Sequence, residues 1–163
     1  MAEGNEDVRA ELTDAEKEEN LIRLVFGGDN DRYREFCREV AAALPPDAAA
    51  VVRGSAVTGQ RAVDGAPFDA DGPGTSDVDL TFVGHSTLDW FIEGGFYVPG
   101  VHSKPLSDEH PDVAPQLVSL RQKLTAMAGR PVNLQATREW MLFVKEVLLG
   151  QPCLTIVGKL PTA

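Results

Sequence analysis

An α/β (α+β) fold, a small mixed sheet flanked by helices, is what the sequence predicts, and three observations predict it. Amphipathic helical stretches alternate with short apolar runs along most of the chain. Those runs have the five-to-seven-residue length of strands and are bounded by Gly, Pro, Asn and Asp. The 163 residues are enough for one buried core and too few for a second full domain. Residues 1–12 are expected to form a flexible acidic tail, and residues 13–163 a single domain.

Thr13-Asp14-Ala15-Glu16 has the form of a capping box, and a helix follows to Phe26, with Leu21, Leu24 and Val25 toward the core. Gly27-Gly28 ends it. A second helix is expected over Asp31–Leu44, burying Tyr33, Phe36, Val40 and Leu44 and stopped by Pro45-Pro46. Ala48–Arg53 reads as a first strand running into Gly54. Ala56–Ser76 is rich in Gly, Asp and Pro and reads as a long loop, with room for a helical turn after Ser55. Asp77–Val83 alternates polar and apolar residues and predicts a half-buried strand. A short helix capped by Ser86 is expected to Ile92, and an irregular segment over Gly94–Pro111. Val113–Ala128 predicts a helix with Leu117, Leu120, Leu124 and Met127 on one face, ended by Gly129. Pro131–Gln135 is expected as a strand, Ala136–Leu149 as a helix, and Pro152–Val157 as a last strand. Leu142, Val144, Val147 and Leu148 are assigned to the core side of that last helix.

Charge narrows the classes of function. The formal net charge is −10, and residues 1–19 hold eight acids against two bases, a net of −6 that leaves −4 for the rest. Phosphate neutralisation on nucleic acid needs clustered Lys and Arg, and no basic run is present. A small-molecule or protein acceptor suits such a surface better. No run approaches eighteen apolar residues, so no membrane span is expected. No basic segment precedes an apolar core at the start, which argues against a secretory signal. Cys37 and Cys153 read as buried free thiols in a reducing compartment, with the cytoplasm as the expected location.

The candidate chemistry lies in Asp77-Val78-Asp79. Side chains alternate along a strand, so both carboxylates face one way and Val78 the other. Two like charges at that spacing repel, and a divalent cation between them resolves the repulsion. Mg²⁺ (or Mn²⁺) suits the pair, since Mg²⁺ takes one or two carboxylates and fills its other positions with water and phosphate oxygens. An isolated Asp-x-Asp is more often a solvated edge strand. Gly54-Ser55 alters that balance. It follows a strand directly, where Gly allows a phosphate close to the backbone and the Ser hydroxyl and adjacent N–H groups can hold it.

Together, Val51-Val52-Arg53-Gly54-Ser55 and Thr75-Ser76-Asp77-Val78-Asp79-Leu80-Thr81-Phe82-Val83 resemble the nucleotidyltransferase superfamily. That superfamily includes DNA polymerase beta, aminoglycoside nucleotidyltransferases and the minimal nucleotidyltransferases of bacteria. The motifs span Ala48 to Val83, and the order of elements extends the likeness to about Leu149. The resemblance implies a polymerase-beta-like fold and transfer of a nucleoside monophosphate from an NTP such as ATP to a hydroxyl, with release of pyrophosphate. It implies that Asp77 and Asp79 are catalytic and bind Mg²⁺, and that Gly54, Ser55 and Ser76 bind the nucleotide.

The chain departs from the family pattern twice. Twenty-one residues, Ala56–Ser76, separate the two motifs, as a substrate-binding insertion or flap or as a solvated surface loop. On the next core strand, Asn133 stands where the family places a third acid. That acid chiefly serves the metal ion that activates the attacking hydroxyl. An amide carries no charge and accepts no proton as a base, so transfer is expected to suffer more than nucleotide binding. Either another acid substitutes, Glu139 or one of the loop residues Asp69 and Asp71, or the acceptor brings its own activation. The alternative is a catalytically impaired nucleotide-binding or regulatory module, as in a toxin–antitoxin partner or a pseudoenzyme.

Other residues carry less. His85, His102 and His110 lack zinc-ligand spacing and read as surface histidines. Lys104, Arg53 and Arg121 are cations of the kind that neutralise a triphosphate. Trp90, Phe91, Phe96 and Tyr97 read as core rather than as a base-stacking platform.

Overall fold

The computed structural model describes residues 12–61, 64–144 and 151–160. The acidic tail expected over residues 1–12 lies, apart from Leu12, outside the described residues. Thr13 caps the first helix, α1 (Asp14–Phe26), through the expected reciprocal box with Glu16, and Gly27 ends it at φ 63°. Asp29 caps α2 (Asn30–Ala43), its carboxylate accepting from the N–H groups of Asp31 and Arg32. Leu21, Val25, Tyr33, Phe36 and Val40 are buried as their helical spacing requires, while Leu24 and Leu44 are partly buried against the same core.

Among the described residues, six strands form one mixed sheet in the order β3-β4-β5-β2-β1-β6. They are β1 (Ala49–Arg53), β2 (Val78–Val83), β3 (Phe96–Val98), β4 (His102–Ser103), β5 (Val132–Thr137) and β6 (Cys153–Val157). Only β2 and β5 run parallel, and β1 lies antiparallel between β2 and β6. The mixed α/β architecture is therefore the expected one. Among the described residues no helix is long and apolar enough to cross a membrane.

Two faces follow from the period-two alternation. Ala50, Val52, Leu80, Phe82, Leu134 and Ala136 point into the apolar core beneath α1, α2 and α4 (Val118–Ala128). The opposite face carries Arg53, Asp79, Thr81, Asn133, Gln135 and Thr137. Its inner part is covered, since Thr81, Gln135 and Thr137 are buried. Phe143, from the helical turn α5 (Trp140–Phe143), packs there against His102 with ring centroids 5.7 Å apart.

The structure corrects several expectations. The segment expected as irregular over Gly94–Pro111 contains β3 and β4, too short to show a period and defined only by pairing. The helix expected from Val113 starts later. Pro115 keeps Ala114 out of the helical conformation (φ −144°, ψ 79°), a 3₁₀ turn spans Pro115–Leu117, and α4 follows. Ser86 caps nothing through its side chain, because the 3₁₀ turn His85–Trp90 begins after Gly84. β5 runs on through Ala136 and Thr137, paired with Phe82 and Val83, where a helix was expected to begin. Met141 and Leu142 are exposed, and Phe143 is the buried residue of that turn. Val144 is half-buried, and Val147 and Leu148 lie outside the described residues. His102 is buried rather than a surface residue, and Tyr97 is exposed rather than core. Cys37 and Cys153 are free and only partly buried.

Candidate functional site

Gly54 closes β1 in a conformation that L side chains rarely adopt, φ 84° and ψ −152°. The chain turns there into one helical turn, α3 (Ser55–Thr58), whose Val57 and Thr58 N–H groups return to the Gly54 carbonyl. A Cβ at Gly54 would lie 3.9 Å from Asp79 Oδ2, so this carboxylate oxygen faces the bend directly. In the antiparallel register Asp79 stands opposite Arg53, the residue before the bend.

Asp77 lies one residue before β2 rather than within it, and it is exposed, whereas Asp79 is partly buried in the strand. Both nevertheless reach one atom. Asn133 Nδ2 donates to Asp77 Oδ2 at 3.0 Å and to Asp79 Oδ1 at 3.1 Å. Asn133 pairs with Asp79 in the parallel register of β5 and β2, the position expected for a third acid. Its Oδ1 is turned the other way, 3.5 Å from an Arg121 nitrogen. Arg121 is itself fixed by the Val132 carbonyl at 2.9 Å and by Asp108 at 3.1 Å. The amide therefore offers N–H groups, not oxygen, to the acids.

Burial of its carboxylate among protein atoms raises the pKa of Asp77, although the residue as a whole is exposed. The Asn133 hydrogen bond opposes that shift, and the Asp79 charge adds to it. Gly54, Ser55, Ser76, Asp77 and Asp79 line a single open cavity of about 300 Å³, with Arg53, Arg61 and Asp71 on its walls. Every residue singled out in the two motifs is thus brought to one place, with Asn133 behind the acids.

The connection between the motifs is anchored at its far end. Asp69, at φ 60°, accepts from the N–H groups of Ser76 (3.0 Å) and Gly74 (3.3 Å), and its own N–H donates to Ser76 Oγ at 2.8 Å. Arg130 pairs with Asp69 Oδ1 at 2.6 Å, donates to the Ser76 carbonyl at 3.1 Å and lies over the Phe68 ring. The Arg130 guanidinium and these amides hold the Asp69 carboxyl down at about 2. Asp69 is occupied as a clasp and does not replace the third acid, and Ser76 spends its hydroxyl oxygen on that clasp. Asp71 reaches the cavity but is paired with Arg61 at 3.1 Å. Glu139 follows the far end of β5, six residues past Asn133, and does not line the cavity. Among the described residues, no group of three or more His, Cys, Asp or Glu side chains gathers at a common point.

Sequence reasoning left Arg61 out of the site and gave Gln135 no role. Arg53 donates to Gln135 Oε1 at 3.3 Å, and its guanidinium lies 5.9 Å from the centroid of the Phe143 ring. No local pattern signals these pairings, which join residues 82 and 90 positions apart.

Compared with protein-family models, curated proteins and solved structures, the chain matches none of them.

Proposed function

We propose that the chain is a metal-dependent nucleotidyltransferase of polymerase-beta-like fold, transferring a nucleoside monophosphate from an NTP to a hydroxyl of a small molecule or a protein. One observation carries this reading: Asp79 Oδ2 faces the Gly54 bend while Asp77 and Asp79 share one cavity wall with Ser55. The donor set fits a single divalent cation such as Mg²⁺. Asn133 takes one oxygen of each carboxylate, so Asp77 Oδ1 and Asp79 Oδ2 are the atoms that would hold the ion.

When bound, the cation supplies charge neutralisation at the phosphoryl oxygens and at the departing pyrophosphate. The protein's own groups do the rest. Gly54 lets the phosphates approach the backbone, and the Ser55 hydroxyl and N–H orient them. The acceptor oxygen attacks the α-phosphorus as the bond to pyrophosphate breaks. The proton of that hydroxyl leaves to solvent water in the open cavity, since all four oxygens of the two carboxylates are engaged.

A second reading is favoured by the orientation of Asn133. With N–H groups toward the acids and no third carboxylate, the same cavity serves a nucleotide-binding or regulatory module with little turnover. Incubation with labelled ATP, GTP, CTP or UTP and Mg²⁺ or Mn²⁺ separates the two. Pyrophosphate release lost in Asp77→Ala supports the enzyme. Release that persists equally in that variant removes it. Nucleotide binding without release selects the second reading.

A further inference from the structure

The two guanidinium groups on the cavity wall are held in opposite ways. Arg61 is balanced by Asp71 at 3.1 Å and Asp64 at 3.5 Å. Arg53 has only a neutral acceptor, Gln135 Oε1, and an aromatic ring; its Nε, like that of Arg61, is buried with no hydrogen-bond acceptor among the described residues, but no carboxylate pairs with its guanidinium there. Its cross-strand neighbour Asp79 spends Oδ1 on Asn133 and turns Oδ2 to the bend. A cation partly withdrawn from water without a dedicated carboxylate is poorly compensated, and an anion in the cavity is the partner that offsets this.

Gln135 is fixed from its other end. It is 2% exposed, and its Nε2 donates to the Ser103 carbonyl of β4 at 2.7 Å. Ser103 is tied in turn to β5, its Oγ accepting from the Ala136 N–H at 2.9 Å. With Nε2 committed, Oε1 is left to meet Arg53. Gln135 does not line the cavity.

Resting on the nucleotidyltransferase reading, we propose that Arg53 is the ligand for the phosphate chain in this cavity and that Gln135 is the positioning residue that aims it. The neutral support is what makes this work. A carboxylate in place of Gln135 would consume the charge that the phosphate needs, as Asp71 and Asp64 consume that of Arg61. The planar guanidinium can also give two parallel N–H groups to a phosphate, which an ammonium cannot.

The test is calorimetric titration of the full chain with inorganic tripolyphosphate, with Mg·ATP and with adenosine, with thermal melting recorded for each variant. Arg53→Met is expected to weaken tripolyphosphate binding about tenfold or more, and Arg53→Lys to keep part of the affinity. Gln135→Met is expected to cost about three- to tenfold, and Gln135→Glu at least as much. Adenosine affinity should stay constant, so the ratio of the two affinities moves, which a merely structural role would not produce. Unchanged tripolyphosphate binding in both Arg53→Met and Gln135→Glu overturns the inference. If Asp77→Ala still weakens Mg·ATP in that case, the functional reading stands without it. A wild-type chain that binds neither tripolyphosphate nor Mg·ATP overturns both.

Discussion

Asn133 stands in parallel register with Asp79, and its amide nitrogen lies 3.1 Å from Asp79 Oδ1. The same nitrogen holds Asp77, so one amide supplies the donors that keep two repelling carboxylates together without a cation.

Asn133→Asp should therefore act in opposite directions with and without metal. In the metal-free protein a third carboxylate replaces two donated hydrogen bonds by repulsion, at a cost of about 1–2 kcal/mol. Thermal melting in EDTA should show the loss. Mg²⁺ or Mn²⁺ should raise the melting temperature of the variant by more than it raises that of the wild type. A gain of pyrophosphate release would favour decay from an enzyme. Equal melting of both proteins, with and without metal, would mean that Asn133 lies outside the working site.

The Asp69–Arg130 clasp carries a pH signature. The folded pKa of Asp69 is about 2, below the ordinary 3.8, so its contribution is complete above about pH 4 and fades as pH falls toward 2. Allowing for solvent at the loop, that contribution is about 1–2 kcal/mol. Asp69→Asn should be less stable than wild type at pH 7 and the difference should vanish near pH 2, as read from urea unfolding at several pH values. Because Ser76 precedes Asp77, the variant should also weaken nucleotide binding. A constant stability difference down to pH 2 would count against the clasp.

Which parts were legible in the sequence follows from how local their causes are. Thr13 and Glu16 define a helix start within four residues, and Gly27 ends it. Asp77 and Asp79 show the strand period, and Asn133 falls opposite Asp79 as the order of elements implied. The burial of His102 depends on Thr137, and the support of Arg53 depends on Gln135, partners 35 and 82 residues away. No window of sequence contains both members of either pair. β3 and β4 are of the same kind, since His102 joins the sheet only through its pairing with Val98 and Thr137. Pro115 is different. Its effect on Ala114 is local, and the apolar spacing of the helix concealed it.

Asp77 offers a second pH test of opposite sign. Its folded pKa is raised, chiefly by burial of the carboxylate, so the ionised form is penalised in the fold above that pKa and relieved as pH falls through it. Asp77→Asn keeps an acceptor for the Asn133 amide and removes the charge. In EDTA at pH 7 it should melt about 1–3 °C above the wild type, with the gain shrinking toward pH 4. Mn²⁺ binding should be lost in the same variant. A variant that melts lower at pH 7 and binds Mn²⁺ as before would contradict both the electrostatics and the metal assignment.

Gly54 is constrained by conformation before it is constrained by space. At φ 84° a side chain is strained whatever surrounds it, so Gly54→Ala should cost about 1–2 kcal/mol of stability. The added methyl would lie in ordinary contact, 3.9 Å from Asp79 Oδ2, and would project into the space assigned to the cation and phosphates. Binding should therefore suffer beyond what unfolding explains. Under conditions where melting shows the variant fully folded, Mg·ATP affinity should still drop about tenfold. Gly59, at φ 81° and outside that cavity, provides the control. Gly59→Ala should show a comparable loss of stability with Mg·ATP affinity retained in the folded fraction. If the two variants lose binding in parallel, the bend contributes only its shape, and the phosphates are held elsewhere.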